Sequence, residues 1–442
     1  MKLNYKRTIL VGFAFLAISG FWQMYDQVIP KILSDTFHLP DFLTGIIMAI
    51  DNVLALFLLP IFGTLSDRTH TKFGRRRPFV LIGSVGAAAC MLMMPFADKL
   101  GSLPFFMVGL GLTLIFMSSY RSPAVALMPD VTLKPLRSKG NAIINLMGTV
   151  GGLISLVLIK LLVPAAPDGV TDFRPNYVPL FIAVAGVILV AALVLLLFVN
   201  ENALVEQMHT DAITHGIAEE SKEEKASREA RTSVPLGKAK TRSMIFLLLS
   251  VFFWFMGYNG ITTSYSRYFG SQFGIGVGDS SLILTVALAA AAIAFIPIGF
   301  LATRIGRKKT ILLGISLLFV AFASGSFFLS YSNLMYLLFA CAGIAWAAIN
   351  VNSYPMVVEM AADGDVGRFT GYYYTASMLA QTITAPLSGL ILDLMKLLHI
   401  PLLFPYGAIF VALSFVTMLF VKHGDAKPAV AADKLEQFAD MD

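Results

Sequence analysis

Gly63-Thr64-Leu65-Ser66-Asp67-Arg68-Thr69-His70-Thr71-Lys72-Phe73-Gly74-Arg75-Arg76-Arg77-Pro78-Phe79 is the stretch on which the reading of this chain turns. It sets five Lys and Arg side chains between two apolar runs, 42–62 and 79–97. A helix that crosses a bilayer needs about 20 mostly apolar residues, which both runs supply. Gly63 and Gly74 let helix end and loop approach closely. Asp67 is favoured near the N-terminus of a facing helix by its dipole. The basic cluster of Arg68, Arg75 and Arg76 suits an anionic membrane surface and ion pairs between helices. A plain basic loop would explain the charge but not the order of Gly, Asp and Arg, so these six residues read as a conformational gate.

Beyond this loop the composition points the same way. Of 442 residues, 57% are apolar and 14% charged, and the mean hydropathy is +0.76. Soluble chains run at about 45–50% and about 25%. A soluble enzyme, a nucleic-acid-binding module and a disulfide-stapled secreted domain are thereby excluded. Cys90 and Cys341 both lie in apolar stretches and imply no disulfide framework. The first apolar run is too long for the core of a cleavable signal peptide.

Apolar runs predict twelve spans, near 8–29, 42–62, 79–97, 103–128, 141–163, 177–199, 243–268, 280–301, 310–330, 333–358, 370–394 and 402–421. With an inside N-terminus, 26 of the 33 Lys and Arg fall on the inner side and six near the outer. The positive-inside rule therefore puts both termini in the cytoplasm. The net charge of +6 is explained by topology and calls for no nucleic acid.

The two halves echo each other. Phe21-Trp22-Gln23-Met24 recurs as Phe253-Trp254-Phe255-Met256, 232 residues on. Pro123, Val125 and Met128 recur at the same offset as Pro355, Val357 and Met360. Arg137, Gly140 and Met147 recur as Arg368, Gly371 and Met378, at 231. The expected fold is an all-α membrane protein of twelve transmembrane helices in two pseudo-symmetric six-helix bundles. The bundles would be 1–199 and 243–421, joined by a cytoplasmic linker, 200–242, and followed by a tail, 422–442. Parallel repeats of this kind belong to alternating-access transporters with a site between the halves.

The loop at 63–79, with its weaker echo Gly299, Leu301, Arg304, Gly306, Arg307, Lys308 and Lys309, resembles the signature of the major facilitator superfamily. Its form, Ser66-Asp67-Arg68 followed by Lys72-Phe73-Gly74-Arg75-Arg76-Arg77-Pro78-Phe79, is similar to proton-coupled sucrose and disaccharide transporters near the glycoside–pentoside–hexuronide:cation symporters. In plant sucrose carriers the fourth span closes on Arg-Ala-x-x-x-Asp. Here Arg121 and Asp130 are nine residues apart, so no role is carried onto Asp130. The resemblance implies proton-coupled symport of a sugar, such as sucrose or maltose, by a monomeric multi-pass protein of the inner membrane. The coupling ion would be a proton, with no other cofactor and no metal.

Ionisable groups at membrane depth are costly and point to function. Asp26, Asp51 and Arg121 stand out. Asp26 is expected towards the outer mouth, Asp51 close to the midplane and Arg121 nearer the cytoplasm. A carboxylate screened from water resists ionisation while a nearby cation favours it, a competition a carrier can use to take up and release a proton. Asp51 or Asp26 would accept the proton, with Arg121 as charge partner or hydroxyl donor; the alternative is a fixed structural ion pair. Hydroxyl-rich ligands suit amide, carboxylate and guanidinium groups around an aromatic face. The substrate set is Trp22, Gln23, Asp26, Asn52, Arg121, Tyr258, Asn259, Thr263, Trp346, Asn350 and Gln381. Asn350 and Asn352 cannot share a helical face. Glu359, Asp130 and Asp393, near helix ends, suit capping.

Three other readings are weighed. Sodium coupling could use Asp51 and Asn52, but a hard cation wants several oxygens and Ala55, one turn on, supplies none. A proton-coupled antiporter of drug-like molecules would carry Gly-Pro in its fifth span, where Gly148-Thr149-Val150-Gly151-Gly152 reads as helix packing. For an intramembrane enzyme, all six histidines lie outside the spans and no hydrolytic motif appears.

Overall fold

A computed structural model describes residues 4–133, 137–164, 174–214, 237–360 and 366–425. The linker residues 215–236 and the tail beyond 425 lie outside it. The described residues form helices and no strand. They are α1 (Tyr5–Asp35), α2 (Asp41–Arg68), α3 (Arg77–Met91), α4 (Met93–Leu100), α5 (Leu103–Asp130), α6 (Arg137–Leu162) and α7 (Val178–Phe198). After α8 (Glu201–Thr214) come α9 (Lys238–Phe273), α10 (Val277–Ile305), α11 (Arg307–Gly325), α12 (Leu334–Glu359), α13 (Val366–Leu398) and α14 (Leu403–Leu419).

Among the described residues, eleven helical segments are long and apolar enough to cross a membrane. α14, with 17 residues, falls short of that length. At 1.5 Å per residue it spans about 26 Å, and Phe420 and Val421 continue its apolar run. The third span is α3 and α4 together, broken at Leu92. Pro95 has no N–H for the carbonyl of Met91, four residues back, so the chain turns there.

Helix ends depart from the sequence expectation in one consequential way. α1 does not stop near residue 29; it runs through Pro30 to Asp35. Asp26 therefore sits nine residues from the helix end, about 14 Å deep, and Asp51 ten from the start of α2, about 15 Å. The expectation that Asp26 lies higher is corrected: the two acids are at similar depth.

The helices group into two compact units. The first comprises 1–219 with 262–285 and 385–393; the second comprises 220–261, 286–384 and 394–442. In the first, α1 packs on α6 and α7, and α3 on α5 and α7. A Cβ on Gly151 would come within 2.0 Å of the Leu16 carbonyl oxygen, so the glycines of the fifth span serve close helix packing. In the second, α11 packs on α12 and α14.

Candidate functional site

The loop after α2 is built on Arg76. Its guanidinium, buried, donates to Asp130 at 2.9 Å, to Asp67 and to the Ser66 hydroxyl. Arg75 reaches the same Asp130 carboxylate at 3.2 Å. Gly74 takes φ +108°, a conformation that glycine adopts freely. The N–H groups of Arg75, Arg76 and Arg77, at the start of α3, all donate to the Glu201 carboxylate at 3.0–3.1 Å. Glu201 opens α8 and is 1% exposed. Its charge and that helix N-terminus complete each other. Gly63 supplies a carbonyl to Arg76 and Ser66. Arg68 closes α2 exposed, with no ion pair to another described residue.

The second half repeats the device 232 residues later. Gly306 has φ +94°, and Asp425 accepts from the N–H groups of Arg307 and Lys308. Arg307 pairs with Glu359 at 3.0 Å. The acids Glu201 and Asp425, each placed just past the last membrane-length run of its half, complete these loops and were missed by sequence reasoning. Replacing Glu201 by Ala leaves three helix N–H groups without their acceptor. It is expected to lower stability by about 2 kcal/mol, visible as a lower unfolding midpoint of the purified protein.

Mid-membrane, the first unit gathers the predicted charges. Asp26 and Asp51 are both half-buried. Asp51 accepts from the Asn52 amide at 2.8 Å. Asp26 makes no hydrogen bond or ion pair with another described residue. It lies within electrostatic reach of Asp51, and Asp51 within reach of Arg121. The Arg121 guanidinium stacks over the Trp22 ring, 5.7 Å from its centroid. Trp22 shares a face of α1 with Tyr25, whose ring meets it edge-on at 5.2 Å. The Trp22 indole N–H and the Tyr25 hydroxyl are buried with no hydrogen-bond partner. Tyr25 is a second position the sequence reading passed over. Gln23 and Thr263 are half-buried in the same unit.

The second unit carries the aromatic groups. Tyr258 stacks on Trp346 with ring centroids 6.1 Å apart, and Phe295 meets Trp346 edge-on at 5.7 Å. Asn259, Asn350 and Gln381 are half-buried; Asn352 is buried and donates to the Ala348 carbonyl. Of the two asparagines, Asn350 is thus the more accessible. Trp254, repeat mate of Trp22, is fully buried beside Phe255.

A family model described as Major Facilitator Superfamily matches residues 11–278 and 247–439. The chain belongs to the major facilitator superfamily. It is a multi-pass membrane protein of that family. Among curated proteins it is similar to a human proton-associated sugar transporter A, 31% identical over 126 residues, covering 26% of this chain and 17% of that one. The sucrose transport protein SUC3 of Arabidopsis thaliana is 26% identical over 121 residues, covering 23% and 20%. An isoprimeverose transporter of Lactiplantibacillus pentosus is 22% identical over 297 residues, covering 65% and 57%. These matches therefore span about a fifth of the first two relatives' length and somewhat over half of the third's. Among solved structures, the nucleoside transporter NupG superposes with a TM-score of 0.67 at 14% identity, over 95% of this chain and all of that one. A POT family transporter in complex with 5-aminolevulinic acid gives 0.66 at 13%, over 93% and 94%. Such identities speak for the fold alone.

Proposed function

We propose that the protein is a proton-coupled symporter of a neutral sugar, of disaccharide size such as sucrose or maltose. It would work by alternating access as a monomer in the inner membrane, with both termini cytoplasmic. The observation that carries this reading is Asp26, half-buried within a membrane-length helix and making no ion pair with another described residue, beside an Asp51 that accepts from the Asn52 amide and lies within electrostatic reach of Arg121. An acid so placed is costly to keep charged and is suited to binding a proton. Arg121 and the two acids offer a donor and acceptors together, and sugar hydroxyls donate to carboxylates and accept from a guanidinium. Within the second unit, the Tyr258–Trp346 pair is by itself an apolar face of the kind a sugar ring stacks on. The names of the relatives support a sugar and, for one, a proton.

The test is uptake of radiolabelled sucrose and maltose into proteoliposomes. Accumulation above the external concentration is expected under an inward proton gradient, with collapse on adding a protonophore and indifference to sodium. Accumulation that follows sodium, or no uptake of either sugar, overturns the reading.

A further inference from the structure

Burying a hydroxyl or an indole N–H without a hydrogen bond is costly, and such groups are normally paired. Two of them stand one helical turn apart on α1, Trp22 Nε1 and the Tyr25 hydroxyl. Tyr25 is 1% exposed, and its ring is held edge-on by Trp22 at 5.2 Å and at a tilt by Phe21 at 5.9 Å. Its hydroxyl lies within electrostatic reach of Asp51 and Asp26 and bonds to neither. Trp22 is fixed in turn by Arg121 on its ring. Both groups are therefore held in place by packing while their polar atoms remain free, which is how an orienting contact to a ligand is prepared. Trp22 can only donate, and the Tyr25 hydroxyl can donate as well. The spacing is three residues, about 4.5 Å along the axis, a reach that two neighbouring oxygens of one sugar ring can meet.

We propose that Trp22 and Tyr25 form a donor pair that reads two adjacent hydroxyl oxygens of the ligand, so that Tyr25 is a specificity-determining residue. This rests on the sugar reading above. The feature distinguishes a neutral glycoside from a ligand of the same size lacking a vicinal diol. Discrimination follows because a missing hydroxyl leaves one buried donor unpaired.

The experiment uses the purified full-length protein with sucrose, maltose and the monodeoxy derivatives of each as probes. Affinity is read by thermal shift and by competition. Wild type should lose affinity when either of two neighbouring hydroxyls is removed. Trp22→Phe and Tyr25→Phe should each bind the parent sugar about fivefold more weakly, the loss of one neutral hydrogen bond. Each variant should also become indifferent to removal of one of those hydroxyls, a different one for each. Unchanged affinity in either variant, or an equal loss for the parent and every deoxy derivative, overturns the donor pair. Wild type that binds neither disaccharide fails the sugar reading itself, and the pair with it; sugar binding that both substitutions leave intact overturns the pair alone. The unfolding midpoint of each ligand-free variant reports its folding separately.

Discussion

Asp51→Asn is expected to abolish accumulation of sugar against its gradient while leaving exchange of labelled for unlabelled sugar across the membrane. The reason is that the two activities ask different things of the same group. Uphill transport needs a residue whose charge changes during the cycle, because only then does the proton gradient bias the direction. One proton per sugar under a one-unit pH gradient supports about tenfold accumulation, and the variant should level off at a ratio near one. Exchange needs only a neutral loaded carrier that reorients, and asparagine supplies a permanently neutral side chain of the same shape. Asn52 still has an oxygen to donate to at position 51, so the local bond at 2.8 Å survives the change. Asp26→Asn is the companion measurement. Because Asp26 makes no bond to another described residue, its substitution should leave the unfolding midpoint unchanged and still remove coupling. Accumulation that persists in both variants would sink the assignment of the proton to these acids.

The twelve spans were readable because hydropathy acts over windows of about 20 residues and tolerates errors at the ends. The depth of Asp26 was not readable for the same reason. Pro30 and the polar residues after it looked like an ending, yet proline is tolerated inside membrane helices and α1 continues to Asp35. The loop after α2 announced itself through glycine and charge, but its stabilising acid did not. Glu201 lies more than 120 residues from the N–H groups it accepts, and a lone glutamate opening a polar stretch carries no local signal. The repeat at 232 residues did point to the matching site at Gly306 and Arg307; its acid, Asp425, was hidden likewise. Tyr25 sits in an aromatic run where any ring suits packing. Only its hydroxyl, buried without a hydrogen bond and within electrostatic reach of two acids, sets it apart.

Arg267→Met is expected to hold open the end of the first unit where α1 finishes and α2 starts. Arg267 is 4% exposed and Asp41 1%, and they pair at 3.0 Å. Asp393 accepts from the N–H groups of Asp41 and Phe42 at 3.0 and 2.8 Å, which fixes the start of α2. The Gln27 amide donates to the Thr262 carbonyl at 3.2 Å, and Lys160 pairs with Asp279, so this end is closed by polar contacts between α1, α2 and α6 and the facing ends of α9, α10 and α13. Removing one partner of a buried ion pair leaves an uncompensated charge that costs about 3–5 kcal/mol. That cost falls on the closed arrangement, since opening lets water reach Asp41. An equilibrium between closed and open would shift by a hundredfold or more, on the order of that energy. In a background with Cys90 and Cys341 replaced by Ser, Thr44→Cys reports the change. Thr44 is buried one turn beyond Asp41, so its thiol should resist a membrane-impermeant maleimide until Arg267 is removed. Net uptake should fall with the same substitution. Adding Asp41→Asn removes the stranded charge and should restore protection and part of the uptake. A thiol equally protected with and without Arg267 would show that the pair is a local packing feature and that closure of this end rests on the helix contacts around it.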